Sequence, residues 1–176
     1  INQIEAKSSS VSTERVWNVP QPKIQLRYRN LTKAYFRIIP YDWLSRLKQT
    51  QRHPEYVDHR RKGEWLNKQP LKEWSVDLPP TDDFKEKIEK IDPPKDLEPG
   101  SYFLFASHDP KFGEQENRVS YSSFWVSDLS LVMRTRQGAG ALEGFVLNAI
   151  SGEPIKGATV RSWKRERNNR QVELRA

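Results

Sequence analysis

The chain has 176 residues and no cysteine, which excludes a disulfide, a thiolate nucleophile and a thiolate metal site. This length suffices for one domain with its own core and a smaller additional unit, and an aromatic content of 11% is too high for a disordered chain. The net charge of +7 is spread along the sequence without a nucleic-acid docking motif, and no apolar run approaches the ~18 residues of a membrane helix. We therefore expect no nucleic-acid partner and no membrane insertion.

The beginning of the chain predicts two strands after a lead-in segment. Residues 1–20 are rich in Ser and Asn, and we expect them to form a separate segment that is flexible at 8–13. Residues 23–29 alternate apolar and polar side chains, which is typical of a half-buried antiparallel strand. Residues 34–39 predict the next strand, and the turn between the two indicates a hairpin.

A helical excursion is predicted next. Trp43, Leu44 and Leu47 recur at helical spacing, which predicts a short helix or turn over 41–48. Residues 49–70 are polar without a clear period, and we expect a long loop with room for one helical turn.

The following segment returns to strands. Residues 73–78 alternate again and predict a strand that ends at a pair of prolines. Residues 82–91 fit two structures, because Phe84, Ile88 and Ile91 have helical spacing whereas a lysine-rich surface is typical of an edge strand. The neighbouring strands favour the edge strand.

Two apolar strands, at 102–107 and 124–133, lie at the centre of the predicted fold. With the others they make about seven strands between turn formers, which predicts an all-β protein with an antiparallel β-sandwich. We expect this sandwich at 21–137, a linker at 138–141, and the truncated start of a second β unit at 142–176.

Two successive motifs near the predicted boundary point to a family: FWVSDLSLVMR at 124–134 and ALEGFVLNAISGEPIKGATVRSW at 141–163. Together they resemble the amino-terminal region of bacterial alpha-2-macroglobulin-like proteins, where one macroglobulin-like sandwich ends on a Trp-Val-Ser-Asp-Leu strand and the next opens with a hairpin. LRYRNLTKAYFRI at 26–38 and LEPGSYFLFASHDP at 97–110 look like earlier strands of such a domain. The resemblance implies a macroglobulin-like sandwich of the fibronectin/immunoglobulin-like type, followed by the start of a second one.

The resemblance also implies a function. The chain would be a non-catalytic structural domain of a large proteinase-trapping protein, an endopeptidase inhibitor that is periplasmic, on the cell surface or secreted. In this family a protease cuts a bait region, the sandwich domains collapse around it, and a Cys-Gly-Glu-Gln thioester can bind it covalently. Residues 113–115 match the last three positions of that motif, but Phe112, which stands at the position of the cysteine, supplies no sulfur, so we interpret the match as a coincidence.

The resemblance implies partners but no cofactor. The implied partners are neighbouring domains of the same chain and, through the full-length protein, target proteases. An unpaired edge in 142–176 could also pair with a second copy.

The functional residues that the sequence suggests are structural and lie where the two units meet. Trp125, Asp128 and Leu129 lead into this junction, and we expect Gly138 and Gly140 to form its hinge. Asp128 interrupts an apolar strand, and a structural hydrogen bond at the junction is favoured over a ligand role.

Two chemical sites can be drawn around the histidines, but the sequence supports neither of them. His53 and His59 lie near Glu55 and Asp58, but their spacing matches no familiar zinc pattern, and solvated side chains are the expected state.

A hydrolytic triad can be drawn from His108, Asp109 and either Ser107 or Ser120. No nucleophile elbow or oxyanion-hole glycine accompanies them, and Asp109 is better interpreted as a turn residue. We therefore predict no enzyme and no catalytic, cofactor-binding or metal site.

A surface carbohydrate-binding or adhesion module is the alternative function. A sugar binder should show coplanar exposed aromatic rings on a loop face, whereas a scaffold module should show apolar patches near its termini. Trp65 is expected to be the most exposed of the six tryptophans, which are Trp17, Trp43, Trp65, Trp74, Trp125 and Trp163.

Overall fold

The structure is a computed structural model that describes residues 6–49, 53–81, 84–115, 117–135, 142–165 and 171–174. Its strands are β1 (Ser8–Ser12), β2 (Val16–Trp17), β3 (Ile24–Arg29), β4 (Lys33–Tyr41), β5 (Lys72–Asp77), β6 (Lys87–Ile91), β7 (Gly100–Ser107), β8 (Ser120–Val126), β9 (Leu129–Thr135), β10 (Leu142–Asn148), β11 (Ser162–Arg165) and β12 (Gln171–Leu174). The helices are α1 (Trp43–Gln49) and α2 (Lys62–Leu66), the latter preceded by a 3-10 turn at His59–Arg61. No helix among the described residues is long and apolar enough to cross a membrane.

Two sheets form the sandwich that the alternating sequence predicts. β1, β3 and β6 make an antiparallel three-stranded sheet in the order β1-β3-β6. The facing sheet has five strands in the order β2-β8-β7-β4-β5, and all of its pairs are antiparallel except β2 with β8. The predicted all-β class with a short helical excursion is thereby confirmed.

The main core lies between the two sheets. Ile24, Leu26 and Tyr28 of β3 are fully buried, which confirms the predicted period of two on this strand. Trp17 and Phe124 belong to the same core and stack with ring centroids 3.8 Å apart. Because β2 brings Trp17 into the sandwich, part of the lead-in segment belongs to the domain.

A second core covers the outer face of the five-stranded sheet. Phe103 and Phe105 of β7 project from the sheet, and Val57, Trp65 and Phe112 pack over them from the excursion and from the loop before β8. β7 is therefore buried on both faces, which explains why its sequence is an unbroken apolar run and does not alternate.

The prediction that Trp65 is the most exposed tryptophan is wrong, because only 8% of its surface is accessible. The guanidinium of Arg46 lies 4.8 Å from its ring centroid and the ammonium of Lys68 lies 3.8 Å from it. Arg46 also donates to the carbonyls of Pro54 and Tyr56 at 2.7 and 2.8 Å, which fixes the excursion over the sheet. The excursion is thus a packed layer and not a solvated loop.

Two early predictions are wrong. The segment expected to be flexible forms β1, in which Ser9 and Val11 point inward and the backbone pairs with β3. The predicted hairpin of β3 with β4 is a crossing between sheets, because Asn30 takes a left-handed conformation with φ of 56° and sends the chain to the facing sheet.

Two later segments also have a definite outcome. The strand is confirmed over the helix for Lys87–Ile91, which is β6. The single strand predicted at 124–133 is two strands, since β8 ends at Val126 and β9 starts at Leu129.

β9 and β10 pair with each other in a separate two-stranded sheet, with Met133 opposite Gly144. β9, which the sequence assigns to the first sandwich, therefore pairs with β10, which the sequence assigns to the second unit. The predicted linker, 138–141, lies outside the described residues.

Candidate functional site

The candidate site is the junction between a first unit, residues 6–126, and a second unit, residues 129–174. At the bend between β8 and β9, the first unit holds Ser127 from two sides. The Ser127 amide donates to the Trp17 carbonyl at 3.2 Å, and the side-chain amide of Asn18 donates to the Ser127 carbonyl. The Ser127 hydroxyl in turn accepts from the Leu129 amide at 3.0 Å. The direction in which β9 leaves the sandwich is therefore fixed by hydrogen bonds.

Asp128 lies at this bend with an exposed side chain. Its backbone carbonyl accepts from the Ala149 amide at 2.7 Å, which joins the bend to the turn after β10. That turn is stabilised by Asn148, whose side-chain oxygen accepts from the amides of Ile150 and Ser151 at 2.9 Å each. The hydrogen bond that Asp128 is described to make at the junction is therefore formed by its main-chain carbonyl.

Three tryptophans from three elements meet at the junction. Trp125 of β8 lies with its ring centroid 6.0 Å from that of Trp43 at the start of α1, and Trp43 lies 5.5 Å from Trp163 of β11. The Trp43 indole donates to Glu55 at 3.1 Å, which holds the ring in place. Trp43 is the junction residue that sequence reasoning missed; its helical spacing identifies it as a packing residue but not its partners.

Two clefts flank this tryptophan cluster. The larger, of about 490 Å³, has a mainly apolar wall that includes Tyr41, Leu44 and Gly100 beside the three tryptophans. Burial, with a smaller contribution from Glu55, raises the pKa of the Tyr41 phenol, so this hydroxyl stays neutral. The smaller cleft, of about 280 Å³, is also lined by Trp43 and Trp163, together with residues that include His53 and Arg161.

Two solved structures resemble the chain, while no family model and no curated protein sequence matches it. One is a fragment of native alpha-2-macroglobulin from Escherichia coli spanning domains MG0-NIE-MG1, with a TM-score of 0.59, 13% identity, and coverage of 96% of this chain and 57% of that chain. The other is an NIE-MG1 fragment of the same protein, with a TM-score of 0.55, 12% identity, and coverage of 98% and 88%. The chain has the fold of an alpha-2-macroglobulin fragment. It spans 57% of the length of the longer fragment, and the predicted resemblance is confirmed at the level of the fold.

The second unit presents apolar side chains on its first hairpin. Leu129, Leu131 and Met133 point to one face of β9 and are 48%, 50% and 61% exposed. Val132 and its neighbour across the ribbon, Phe145, are 49% and 67% exposed. Both faces of the ribbon are therefore apolar. Gly138 and Gly140, the predicted hinge, lie outside the described residues.

The histidines His53 and His59 take part in surface and turn structure. His53 lies 3.2 Å from Glu55, which also accepts from Trp43, and His59 opens the 3-10 turn. Among the described residues, no three His, Asp or Glu side chains are placed to hold a metal ion.

Ser107 and Asp109 form a turn, as the sequence indicates. The buried Ser107 hydroxyl donates to the Asp109 carbonyl at 2.7 Å and accepts from the Asp109 amide and the Asn117 side chain. The Asp109 carboxylate accepts from the amides of Lys111 and Gly113, and these bonds lower its pKa. The Ser107 hydroxyl is thus committed to this turn, and the Ser120 hydroxyl, the other serine considered for a triad, accepts from the Val11 amide at 3.1 Å.

Phe112, which stands where the thioester motif has cysteine, is a core residue of the same loop. It is buried, has a φ of 56°, and packs under the Arg37 guanidinium at 4.1 Å from the ring centroid. This residue anchors the loop over the outer face of the sheet.

Proposed function

We propose that the chain is a non-catalytic structural part of an alpha-2-macroglobulin-like proteinase trap, in which it holds neighbouring domains in position. The observation that carries the proposal is the likeness to alpha-2-macroglobulin fragments over 96% of the chain. In such a protein the target proteases are bound by the full-length molecule, which acts in the periplasm, at the cell surface or outside the cell. The function of this chain is then mechanical.

The distribution of exposed apolar residues supports the mechanical role. A contiguous exposed apolar surface usually marks an interaction site. The exposed apolar side chains of the second unit lie on β9, on β10 and in the segment that follows β10. They are Leu129, Leu131, Val132, Met133, Phe145, Ile150, Ile155 and Val160. We propose that neighbouring domains of the same protein cover this surface.

The tryptophans do not favour the carbohydrate-binding alternative. A sugar platform requires rings that present parallel faces to a ligand. The planes of Trp43 and Trp125 differ by 55°, and those of Trp43 and Trp163 by 63°, because these rings contact one another edge to face or at a tilt. Trp17 and Trp65 are buried and could not stack on a sugar.

The proposal is tested with the full-length natural protein that contains this chain. An endopeptidase treated with it should keep its activity on a short peptide substrate and lose activity on a large protein substrate, because a trap encloses the protease without blocking its active site. The 176-residue chain alone should change neither activity, since it contributes structure and no inhibitory site. Full activity on the protein substrate in the presence of the full-length protein would contradict the proposal.

A variant at the junction tests whether the junction itself contributes to trapping. In the full-length protein, Trp125→Ala should reduce the protection of the large substrate, while Ile88→Ala, which truncates an exposed apolar side chain of β6 outside the junction, should leave it unchanged. Equal trapping by both variants would show that the junction does not contribute.

A further inference from the structure

A cleft of about 660 Å³ in the first unit is lined by the end of β4, by α1, by α2 and by the loop that joins the two helices. Sites for small ligands in proteins usually have volumes of about 300–1,000 Å³. The described lining combines the aromatic side chains of Tyr41, Tyr56 and Trp65 with three basic and three acidic side chains. Which ligand such a cleft accepts depends on the charges that remain without a partner.

The three carboxylates of the cleft already have partners. Asp42 accepts from the amide of Ser45 at 2.9 Å and from its hydroxyl at 2.6 Å. Asp58 accepts from a backbone amide of the 3-10 turn at 2.9 Å. Glu64 lies 3.0 Å from Nε of Arg61. One of the three basic side chains is therefore compensated by a carboxylate.

Arg46 is a second basic side chain of the cleft, and among the described residues no carboxylate forms an ion pair with it. Its Nε and Nη2 donate to the carbonyls of Pro54 and Tyr56. The edge formed by Nη1 and the second Nη2 hydrogen is left over, and such an edge can donate two parallel bonds to one carboxylate. Burial lowers the pKa of Arg46, and the charge of Arg61 contributes, so a nearby anion is favoured.

Lys68 is the third basic side chain, and it too lacks an ion pair within the part of the chain that the structure describes. Its ammonium lies 3.8 Å from the ring centroid of Trp65, and the Arg46 guanidinium lies 4.8 Å from the same centroid. The charge of Lys68 contributes to the lowered pKa of Glu64, but the hydrogen bond from Arg61 is the larger cause. Two cations that share one aromatic ring are thus left for an external anion.

The cleft also has an unsatisfied hydroxyl. Tyr41, which lines it, is 8% exposed, and its phenol oxygen is buried without a hydrogen-bond partner. Buried hydroxyls are nearly always hydrogen-bonded, so this one indicates a donor that a ligand can use. The Arg46 guanidinium lies 5.9 Å from the centroid of the Tyr41 ring. The hydroxyl therefore belongs to the same part of the cleft as the cation.

We infer that this cleft binds a carboxylate group, with Arg46 and Lys68 as its charge partners and Tyr41 as a neutral donor. Asp42, Asp58 and Glu64 line the same cleft, which disfavours the double charge of a phosphate and fits a group with a single negative charge. A free organic acid and an acidic side chain of a polypeptide present the same group. The inference goes beyond the proposed function and does not depend on it.

An NMR titration of the 176-residue chain tests the site, with glutarate as the probe. Glutarate should shift the indole N–H signal of Trp65 and the Nε–H signal of Arg46 in a saturable way. Glutaramide, its neutral analogue, should shift neither signal at the same ionic strength. A blocked tripeptide with a central glutamate forms the second arm, with the glutamine tripeptide as its control. Tighter binding of glutarate assigns a free acid, and tighter binding of the glutamate tripeptide assigns a polypeptide side chain.

Two outcomes of this titration would overturn the site. The first is the absence of a saturable shift with both glutarate and the glutamate tripeptide, and the second is equal shifts with the neutral controls. Inorganic phosphate that binds as tightly as glutarate would overturn the assignment of a carboxylate.

Variants separate the site from general attraction to a basic protein. Lys68→Gln should weaken glutarate binding about fivefold, because an exposed ion pair is lost. Lys90→Gln removes the same charge from an exposed position on β6, in the facing sheet, and should leave the affinity unchanged. Equal affinities in these two variants would contradict the inference.

Arg46→Lys keeps the charge but not the planar fork, and it should weaken binding about tenfold. If this variant disturbs the loop between the helices, as shifts of the amide signals across 53–58 would show, the comparison of Lys68→Gln with Lys90→Gln decides alone. None of these measurements involves trapping, so the carboxylate site and the proposed function can fail independently.

Discussion

The ammonium of Lys62 lies 2.6 Å from the Glu114 carboxylate, with the lysine side chain 3% exposed and the glutamate side chain 52% exposed. The same ammonium donates to the backbone carbonyl of Val119 at 3.0 Å. Lys62 is on α2, and both partners are in the loop before β8. One buried cation therefore ties together the two segments that cover the outer face of the five-stranded sheet.

Lys62→Ala should lower the free energy of unfolding by about 2–4 kcal/mol, because it opens a cavity and leaves the Val119 carbonyl without this donor. Glu114→Gln should cost about 0.5–1 kcal/mol, since the carboxylate is half exposed and water can replace part of the interaction. Chemical denaturation measures both variants. An equal loss in the two would mean that the ion pair, and not the bond to Val119, carries the stability.

Phe103 should be the most sensitive position of the second core. Its ring contacts Tyr41 at 4.2 Å and Trp65 at 5.0 Å between centroids, and none of its surface is exposed. Phe103→Ala should therefore destabilise the protein by about 3–5 kcal/mol in equilibrium unfolding. Phe145→Ala is the matched control, because Phe145 is 67% exposed and its loss should change stability by about 0.5 kcal/mol or less. A small effect at Phe103 would show that the excursion does not pack on the sheet.

The sandwich could be predicted because strands such as β3 alternate and bury one side chain in two. On β3 the apolar side chains Ile24, Leu26 and Tyr28 all reach the core. The pairing of strands could not be predicted in the same way. β3 and β4 are adjacent in sequence and each alternates, yet the left-handed Asn30 separates them into different sheets.

The sequence of β7 indicates that the five-stranded sheet is covered on its outer face as well, although β7 does not alternate. An unbroken apolar run such as β7 is typical of a strand covered on both faces, and the covering segment had to come from elsewhere in the chain. The covering residues Val57 and Trp65 are too widely spaced in a polar segment to show a period. The contact of Trp43 with Trp163 is harder still, since it joins residues 120 positions apart through tertiary structure alone.

Gly144 allows β9 and β10 to approach closely. A side-chain carbon added there would lie 2.8 Å from the backbone carbonyl of Val132, whereas one added at Gly63 of α2 would meet nothing within 4 Å. Gly144→Ala should therefore loosen this hairpin and speed amide hydrogen exchange in β9 (Leu129–Thr135) and β10 (Leu142–Asn148). Gly63→Ala should instead stabilise the protein by roughly 0.5–1 kcal/mol, because alanine favours the helix. Unchanged exchange in Gly144→Ala would show that the ribbon can shift to accept the side chain.

Asp109 should make the loop before β8 sensitive to acid. Backbone hydrogen bonds from Lys111 and Gly113 lower the pKa of this carboxyl from its ordinary value of 3.8. Because the folded state favours the ionised form, the stabilisation is complete above the ordinary pKa and is lost as the pH falls through the lower folded value. Asp109→Asn removes the titration, so its thermal midpoint should fall less than that of the wild type between pH 5 and about pH 2. Parallel pH profiles of the two proteins would show that the turn contributes nothing to the acid response. Glu153→Gln, at a position in the second unit that is exposed and far from this loop in sequence, is the control and should follow the wild-type profile.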